Sequence, residues 1–471
     1  KIAISLNPNY VQAHNNLGTA QLRLGQYEDA KTSFEQAVKL KPEYPDAIYN
    51  LGMCLYEAGY LDDALLNFQL AVSMRPTFFE AQLGLGNTFK LLGKNRFAIY
   101  RYERAIEINP SSATCWYNLA QALRSDEKIE PAIHATQKAL ELNPNYYSAQ
   151  LLNLHLLAKI CDWTAIDILK KKLVQPNASQ DIPPPLTMLA LTDNPEDELR
   201  HATQFATRKF GCVIPLEFAR EQKSKQTITL AYFSSDFGDH PVGRLMARGF
   251  ESHDRDIYTV IGFSNLRDAD SMHLSRLQQL FDRFHDISEL NDAQASEIVR
   301  DEGVDIAIDL SGYTKGSRTS LFAKRIAPIQ VNYLGYPGTM GTNFMDYIIA
   351  DRALIPPNNK KYFTEKVVYL PNCYQARDDS VKVSTEQITR DMFNLPIDDF
   401  VFCCFNNTYK ISSKEFGLWM FLLSKIPKSV IWILKTNERM VENMKREALK
   451  NGIEDHRIIF TSGASYEVYL A

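Results

Sequence analysis

A period of 34 residues governs the first third of the chain. Pro8, Pro42, Pro76, Pro110 and Pro144 recur at that interval. So do Ala30, Ala64, Ala98 and Ala132, then Ala37, Ala71, Ala105 and Ala139, then Leu17, Leu51, Leu85 and Leu119. Gly25, Gly59 and Gly93 form a further column that Glu127 interrupts. Each column has a physical reading. Alanine lets two helices approach closely, glycine supplies the turn between them, and proline ends the second helix because it has no N–H to continue it. A repeat of this length is a helix–turn–helix. One such unit cannot bury its apolar face alone, so neighbours must stack into a superhelix with a concave groove.

The period and its columns are those of tetratricopeptide repeats. A further column reads Asn16, Asn50, Gly84 and Asn118. An Asn amide both donates and accepts, which suits it to hold a peptide backbone without reading side chains. The alternative is that Asn is simply common at this place in the repeat. The periodicity fades after Ala149, although residues 150–170 still read as helical. Asn177-Ala178-Ser179 and Pro183-Pro184-Pro185 then read as a linker. Asn177-Ala178-Ser179 and Asn406-Asn407-Thr408 fit a glycosylation pattern, and chance explains both without a secretory context.

The balance of 52 Lys+Arg against 56 Asp+Glu, a net charge of -4, lacks the basic surplus of a nucleic-acid binder. No apolar run approaches the ~20 residues needed to cross a bilayer, so no membrane partner is expected. The seven Cys form no CxxC pair, which argues against a zinc ribbon and a disulfide framework. A reducing, cytoplasmic compartment is the expectation.

From Thr227 the pattern changes to β-rich runs at Thr227–Phe233, Ile257–Phe263, Val304–Leu310, Ile329–Leu334 and Tyr347–Ala350, with helical segments such as Ser271–Phe281 and Asp292–Asp301 between them. This alternation predicts a doubly wound parallel sheet. Residues 352–392, with Pro356-Pro357, read as a connector. Val401–Phe405, Val430–Leu434 and Ile458–Thr461 form a second strand set, separated by helices at Ser413–Lys425 and Glu438–Lys450. It occupies roughly 80 residues, against the ~100–150 of a whole domain, and is expected to be incomplete.

In open parallel sheets ligands bind beyond the carboxyl ends of the strands. The segments there are Ser234-Ser235-Asp236-Phe237-Gly238-Asp239-His240-Pro241, Ser311-Gly312-Tyr313-Thr314-Lys315-Gly316, Gly335-Tyr336-Pro337-Gly338-Thr339, and Asn406-Asn407-Thr408-Tyr409-Lys410. Together they describe a cleft between two lobes, with a His from one side and a Lys from the other. Taken singly, the His reads as a capping or solvated residue, the Lys as an exposed one, and Gly-Tyr-Pro-Gly as a turn. Asp268-Ala269-Asp270 is a metal-binding triplet in some sugar-nucleotide enzymes, but its place at the start of a predicted helix favours capping. No other metal constellation is visible.

These segments, in this order behind the repeats, resemble the O-GlcNAc transferase family (family GT41), including its bacterial and SPINDLY-type members. The matching stretches are SSDFGDHPVGRLM (234–246), DLSGYTKGSRTSLFAKRIAPIQVNYLGYPGTMGTNFMDYIIAD (309–351), FNNTYKI (405–411) and RIIF (457–460). The tight spacing between blocks is that of bacterial members. The resemblance implies an α-solenoid followed by a GT-B glycosyltransferase: two Rossmann-like lobes, the second incomplete here, facing a cleft for a nucleotide sugar. It implies inverting transfer of GlcNAc from UDP-GlcNAc to Ser or Thr of intracellular proteins, with no cofactor and no metal, and with acceptor proteins recruited along the repeat groove. A homo-oligomer stays open.

Residue by residue, His240 matches the active-site His of the His-Pro dipeptide and Lys410 the Lys that contacts the donor diphosphate. Leu334 and Gly335 match donor-pocket positions. Asn407 stands where many members have Gln. Ala464, Ser465, Tyr466 and Tyr469 align with a donor-contacting segment in which animal members carry Lys at the place of Tyr466 and His at that of Tyr469. The groove residues are Asn16, Asn50 and Asn118. Further donor-binding groups of the family fall beyond Ala471, so the chain is expected to be a fragment without activity by itself. The expected domains are a repeat superhelix (1–158), a helical linker (159–225), an N-terminal catalytic lobe (226–351), a connector (352–392) and a partial donor-binding lobe (393–471). The alternatives are a related transferase using GDP-fucose, or UDP-glucose with Asn as acceptor, and a non-catalytic repeat scaffold.

Overall fold

The alanine and proline columns translate directly into paired helices. A computed structural model describes residues 1–171, 182, 184–189, 192–215, 227–266, 272–381 and 387–463. It divides into two units. The first holds Lys1–Gln180, Asn406–Ser424 and Thr436–Asp455; the second holds Asp181–Phe405, Lys425–Lys435 and His456–Ala471.

In the first unit a short α1 (Ile2–Leu6) precedes five helix pairs: α2 (Val11–Arg23) with α3 (Tyr27–Leu40), α4 (Pro45–Glu57) with α5 (Leu61–Met74), α6 (Phe79–Leu91) with α7 (Asn95–Ile108), α8 (Ala113–Ser125) with α9 (Ile129–Leu142), and α10 (Tyr147–Lys159) with α11 (Trp163–Lys170). The first helices of successive repeats pack closely on one another, α2 on α4, α4 on α6, α6 on α8 and α8 on α10, so they line the inner face of the stack. The alanine columns sit where the helices cross, fully buried. The turn column keeps one backbone conformation whatever the residue. Gly25, Gly59 and Gly93 have φ of 72, 88 and 72°, and Glu127 and Cys161 follow with 60 and 53°. The repeat geometry therefore runs one unit further than the sequence periodicity, through Cys161.

A column not evident from the periodicity alone explains the packing. A Cβ on Gly18 would lie 2.7 Å from the Phe34 ring, one on Gly52 2.9 Å from Phe68, and one on Gly86 2.5 Å from Tyr102. Each glycine is the hole for the aromatic ring of the next helix, and all three rings are fully buried. In the fourth repeat Ala120 fills the hole and Thr136 replaces the ring.

The second unit carries a seven-stranded parallel sheet. Before it lie α12 (Leu186–Leu189) and α13 (Pro195–Phe210). The run is then β1 (Ile228–Ser234), α14 (Pro241–Glu251), β2 (Tyr258–Ser264), α15 (Met272–Gln278), β3 (Arg283–Asp286), α16 (Asp292–Asp301), β4 (Ile306–Asp309), α17 (Thr319–Ala323), β5 (Ile329–Asn332), β6 (Tyr347–Ala350) and β7 (Lys366–Tyr369). The strand order is β3-β2-β1-β4-β5-β6-β7. Alternate residues of β1 enter different cores: Ala231 and Phe233 join Phe263, Phe322 and Tyr336 on one face, and Leu230 and Tyr232 join Met246, Phe250 and Leu310 on the other. A sheet buried on both faces is what parallel pairing requires.

The chain continues through β8 (Phe400–Cys404), α18 (Ser413–Lys425), β9 (Ser429–Leu434), α19 (Glu438–Lys450) and β10 (Ile458–Thr461). The three strands form a parallel sheet in the order β10-β9-β8. Trp432 of β9 holds this sheet to its flanks: its Nε1–H donates to Thr461 Oγ1 at 2.7 Å, and its ring meets Phe393 and Phe405 at 4.9 and 4.7 Å.

Two strands differ from the expectation. β3 and β7 are the edges of the large sheet, four residues each, and β7 falls inside the segment read as a connector. Arg283 and Lys366 open them, and neither strand contains a fully buried residue. Edge strands of this kind lack the apolar run that marked the central strands. No described helix is long and apolar enough to cross a membrane.

Candidate active site

The strand order reverses direction between β1 and β4, which is where a doubly wound sheet opens a crevice at its carboxyl edge. The loops leaving those two strands are the two motifs that carry the candidate chemistry. Ser234 Oγ accepts from Asp236 N at 2.9 Å and Ser235 Oγ donates to Lys315 O at 3.2 Å, tying the β1 loop to the loop after β4. His240 then stands at the N-cap of α14, where its Nδ1 accepts from Val242 N at 3.3 Å. Pro241 follows at the first helical position, where its missing N–H costs nothing. The capping reading of this His was correct, and it does not displace the functional one. A Nδ1 that accepts carries no proton, so the neutral ring holds its proton on Nε2. His240 is about half exposed, and Asp236 Oδ2 lies 3.7 Å from the same Nδ1. Burial raises the Asp236 carboxyl above the usual range, and His240 and Ser235 offset part of that rise.

Beneath this loop Asp309 ends β4. Its Oδ1 accepts from Ser311 N at 2.9 Å and Gly312 N at 3.0 Å, while Oδ2 is buried without a hydrogen-bond partner. Burial pushes the carboxyl up to about 6 despite those two donors, with Asp236 adding to the rise. The partner of Asp309 in the ladder is Asn332, whose Oδ1 is also buried without a partner.

Leu334 and Gly335 sit at the end of β5 in a tight turn. Gly335 N donates to Tyr333 O at 2.9 Å across Leu334, whose φ is 68°. That is a strained γ-turn on a non-glycine residue, of the sort that persists only where the surroundings over-determine it. The surroundings do so. A Cβ on Gly335 would lie 2.0 Å from the carbonyl oxygen of Leu310. Asn332 Nδ2 donates to Tyr336 O at 3.0 Å and to Gly338 O at 3.3 Å. The Leu334 side chain is packed in the core, which leaves its main chain as the group presented at this edge.

Lys410 belongs to the first unit. Thr408–Lys410 form a single 3-10 turn with Asn407 at its N-cap, and Asn407 and Lys410 are both exposed. The turn is fixed by the end of the repeats. The last carbonyls of a helix lack internal partners, and here side chains from far along the chain supply them. Thr408 Oγ1 donates to Lys159 O at 2.8 Å, Asn437 Nδ2 to the same oxygen at 3.1 Å, and Asn443 Nδ2 to Ile160 O at 2.8 Å. In return Trp163 Nε1 donates to Ile411 O at 3.0 Å, and its ring meets Phe416 at 4.9 Å. Tyr409, next to Lys410, meets the ring of His155 at 5.1 Å. Sequence reading missed this arrangement because nothing local marks Thr408, Asn437 and Asn443 as helix caps.

The remaining expectations fall as follows. Asn16 is exposed on α2. Asn50 Nδ2 donates to Asn15 Oδ1 at 2.9 Å, and Asn118 Nδ2 to Asn87 Oδ1 at 3.1 Å, so these two amides bridge successive repeats. Ala464, Ser465, Tyr466 and Tyr469, the triplet at 268–270 and Asn177-Ala178-Ser179 lie outside the described residues. Among the described residues no group of three or more His, Cys, Asp or Glu could hold a metal ion. All seven cysteines are free thiols.

Tetratricopeptide helices ahead of parallel α/β sheets, with a capping His at the switch point, define the class: a repeat-bearing protein with doubly wound parallel α/β sheets. The chain belongs to glycosyl transferase family 41, whose profile matches residues 160–384 and 376–470; tetratricopeptide profiles match 6–77, 86–126 and 113–146. A probable UDP-N-acetylglucosamine–peptide N-acetylglucosaminyltransferase SEC of Arabidopsis thaliana is 32% identical over 268 residues, 56% of this chain and 27% of that one. The UDP-N-acetylglucosamine–peptide N-acetylglucosaminyltransferase of Caenorhabditis elegans is 27% identical over 438 residues, 66% of this chain and 38% of that one. The chain thus matches between about a quarter and two fifths of the length of these relatives. The solved structure of an O-GlcNAc transferase variant from Thermobaculum terrenum aligns with a TM-score of 0.59 at 24% identity, covering 90% of this chain and 75% of that one, and shows the same GT-B fold.

Proposed function

We propose that this protein transfers N-acetylglucosamine from UDP-N-acetylglucosamine to Ser or Thr hydroxyls of proteins, with inversion at the anomeric carbon, and that the repeats deliver the acceptor. The observation that supports it most is His240 at the switch point of the large sheet, half exposed and with its Nδ1 held by the Val242 N–H, in a chain of this family. The acceptor oxygen bonds to the anomeric carbon as UDP leaves with the bonding pair, and the hydroxyl proton departs to base or solvent. His240 Nε2–H donates a hydrogen bond in this site, and the Val242 N–H on Nδ1 sets the orientation of its ring. Lys410 is the fixed cation for the diphosphate, where charge develops as the bond breaks. Asn407 and the Leu334–Gly335 main chain contact the donor. Ala464, Ser465, Tyr466 and Tyr469 are assigned to the same pocket from the resemblance. The chemistry assigned to these residues requires no metal, and the site of action is cytoplasmic. We extend the repeat superhelix through α11, assign β7 to the N-terminal lobe and keep the other expected domain limits.

The test is the protein made from its complete open reading frame, incubated with labelled UDP-GlcNAc, UDP-glucose or GDP-fucose and a protein extract. Label transferred to protein from UDP-GlcNAc alone is expected. Label from another donor alone, or from none, refutes the proposal.

A further inference from the structure

The inner face of the last repeats carries three cations that form no ion pair among the described residues. Lys90 of α6 and Arg124 of α8 occupy the same place in consecutive repeats, 34 residues apart, and Lys159 of α10 follows one position past the next equivalent. All three are partly buried. Lys90 Nζ donates to Gln121 Oε1 at 2.7 Å, a neutral partner. Arg124 and Lys159 make no side-chain ion pair among the described residues, and the nearby Asp126 is engaged with Arg96 and Lys128. Among the described residues Glu127 offsets part of the charge at Lys159, and the neutral Tyr117 hydroxyl lies near Arg124. Beside Arg124 and Lys159 stands His155, one repeat after Gln121, with its Nδ1 buried and without a partner.

The charges feel one another. Burial pushes the Lys90 amine down to about 8, with Arg124 adding to the fall. Burial, then Arg124 and Lys159, push His155 down to about 3, so its ring is neutral. Groups held in such a field gain from an anion, and an unpartnered imidazole nitrogen gains from any polar group that arrives with it.

We propose that Lys90, Arg124 and Lys159, with His155 beside the last two, form a binding site for an acidic extended segment of the acceptor protein. The spacing defines the segment. Neighbouring helices stand roughly 8–10 Å apart, so cations at equivalent places on consecutive first helices repeat at about that interval. A polyproline II strand has three residues per turn and rises ~3.1 Å per residue, so every third side chain lies on one face about 9 Å from the last. The segment is therefore extended and carries Asp or Glu at every third position. His155 packs on Tyr409, the neighbour of Lys410, so the acidic segment ends beside the turn that holds the proposed diphosphate cation. This inference rests on the transferase reading for the meaning of acceptor, but its test does not need transfer.

The probe is a fluorescently labelled peptide with Glu at every third position, Pro and Ala elsewhere and no Ser or Thr, compared by anisotropy with the same peptide carrying Gln. Because neither peptide has a hydroxyl to glycosylate, the result is independent of whether the protein transfers sugar. The Glu peptide should bind at least about ten times more tightly at low salt, and the preference should fade as salt rises. Arg124→Gln and Lys90→Gln should each remove about tenfold in affinity, while Arg124→Lys should retain most of it. Lys138→Gln, on the exposed face of α9, should change nothing. Melting temperatures show whether each variant is folded. Equal binding of the two peptides overturns the proposal, as does an Arg124→Gln variant that melts normally and keeps the preference. So does an Arg124→Gln variant that weakens UDP-GlcNAc binding but not peptide binding, which would assign these cations to the donor.

Discussion

The main-chain N–H of Val242 donates to Nδ1 of His240 at 3.3 Å, so the residue proposed to face the sugar is also the cap of its own helix. Stability and chemistry can therefore be separated at one position. Asn is among the best N-caps, and replacing a cap with Ala costs ~1 kcal/mol. His240→Asn should melt within a degree or two of the parent, while His240→Ala should be less stable by about 1 kcal/mol. Both should lose about a hundredfold or more in turnover. Thermal melts beside initial rates check this, and an Asn variant with near-normal turnover would remove His240 from the chemistry.

Asp309 should set a pH dependence of stability. Its carboxyl titrates at about 6 in the folded protein because burial disfavours its charge, above its ordinary value near 3.9 in an unfolded chain. Between about pH 4 and 6 the native state thus holds a proton that the unfolded state has released. The stability this confers is complete below that window and is lost as pH rises through it, by up to roughly 3 kcal/mol. Asn keeps the acceptor for Ser311 N and Gly312 N and does not titrate. Asp309→Asn should therefore be the more stable protein near pH 7.5, with the difference closing toward pH 4. Urea midpoints across that range report it.

Gly335→Ala should be among the most damaging single-methyl changes in the second unit. The added Cβ meets the Leu310 carbonyl oxygen at 2.0 Å, and a backbone atom at the end of a central strand cannot rotate away. A loss of about 3 kcal/mol or more is expected in denaturant titrations, with the end of β5 displaced. The strained Leu334 turn next to it would be released by the same change.

In the repeats, Gly86→Ala pushes a methyl to within 2.5 Å of the Tyr102 ring, which is itself fully buried and donates its hydroxyl to Asn87. The cost should be about 1–3 kcal/mol. Ala120→Gly, in the repeat that has Thr136 in place of the ring, should cost only the helix propensity, about 1 kcal/mol. Gly86→Ala with Tyr102→Thr copies the fourth repeat, and its total cost should fall short of the sum of the single costs by about 1 kcal/mol or more. A strictly additive double variant would contradict the ring-in-hole account.

How much of this was legible in the sequence follows from where each constraint acts. The solenoid was legible because identical neighbours impose the same columns again and again. The central strands were legible because both faces of a parallel strand are apolar. The switch-point segments were legible because polar and Gly-rich loops follow the strands in order. The Gly86–Tyr102 hole needed the second helix to be placed on the first, since 16 residues separate the two. β3 and β7 carry charges suited to an edge. Least legible was the junction of Thr408, Asn437 and Asn443 with the carbonyls of Lys159 and Ile160. Polar residues that cap a helix some 250–280 positions away look in sequence like any surface polar residue, and only tertiary structure gives them a partner.

Lys410 allows the most direct test of the central claim. It is exposed, carries a fixed charge, and stands on a turn whose position is set by Thr408 and Ile411 rather than by its own side chain. Lys410→Ala in the protein made from its complete open reading frame should therefore fold as the parent does. The decisive measurement is mass spectrometry of acceptor proteins after incubation with UDP-GlcNAc and either form. The account predicts N-acetylhexosamine on Ser and Thr with the parent, and a yield lower by about a hundredfold or more with Lys410→Ala at an unchanged melting temperature. Modification by the variant at the parent's rate, or no modification by the parent, would contradict it.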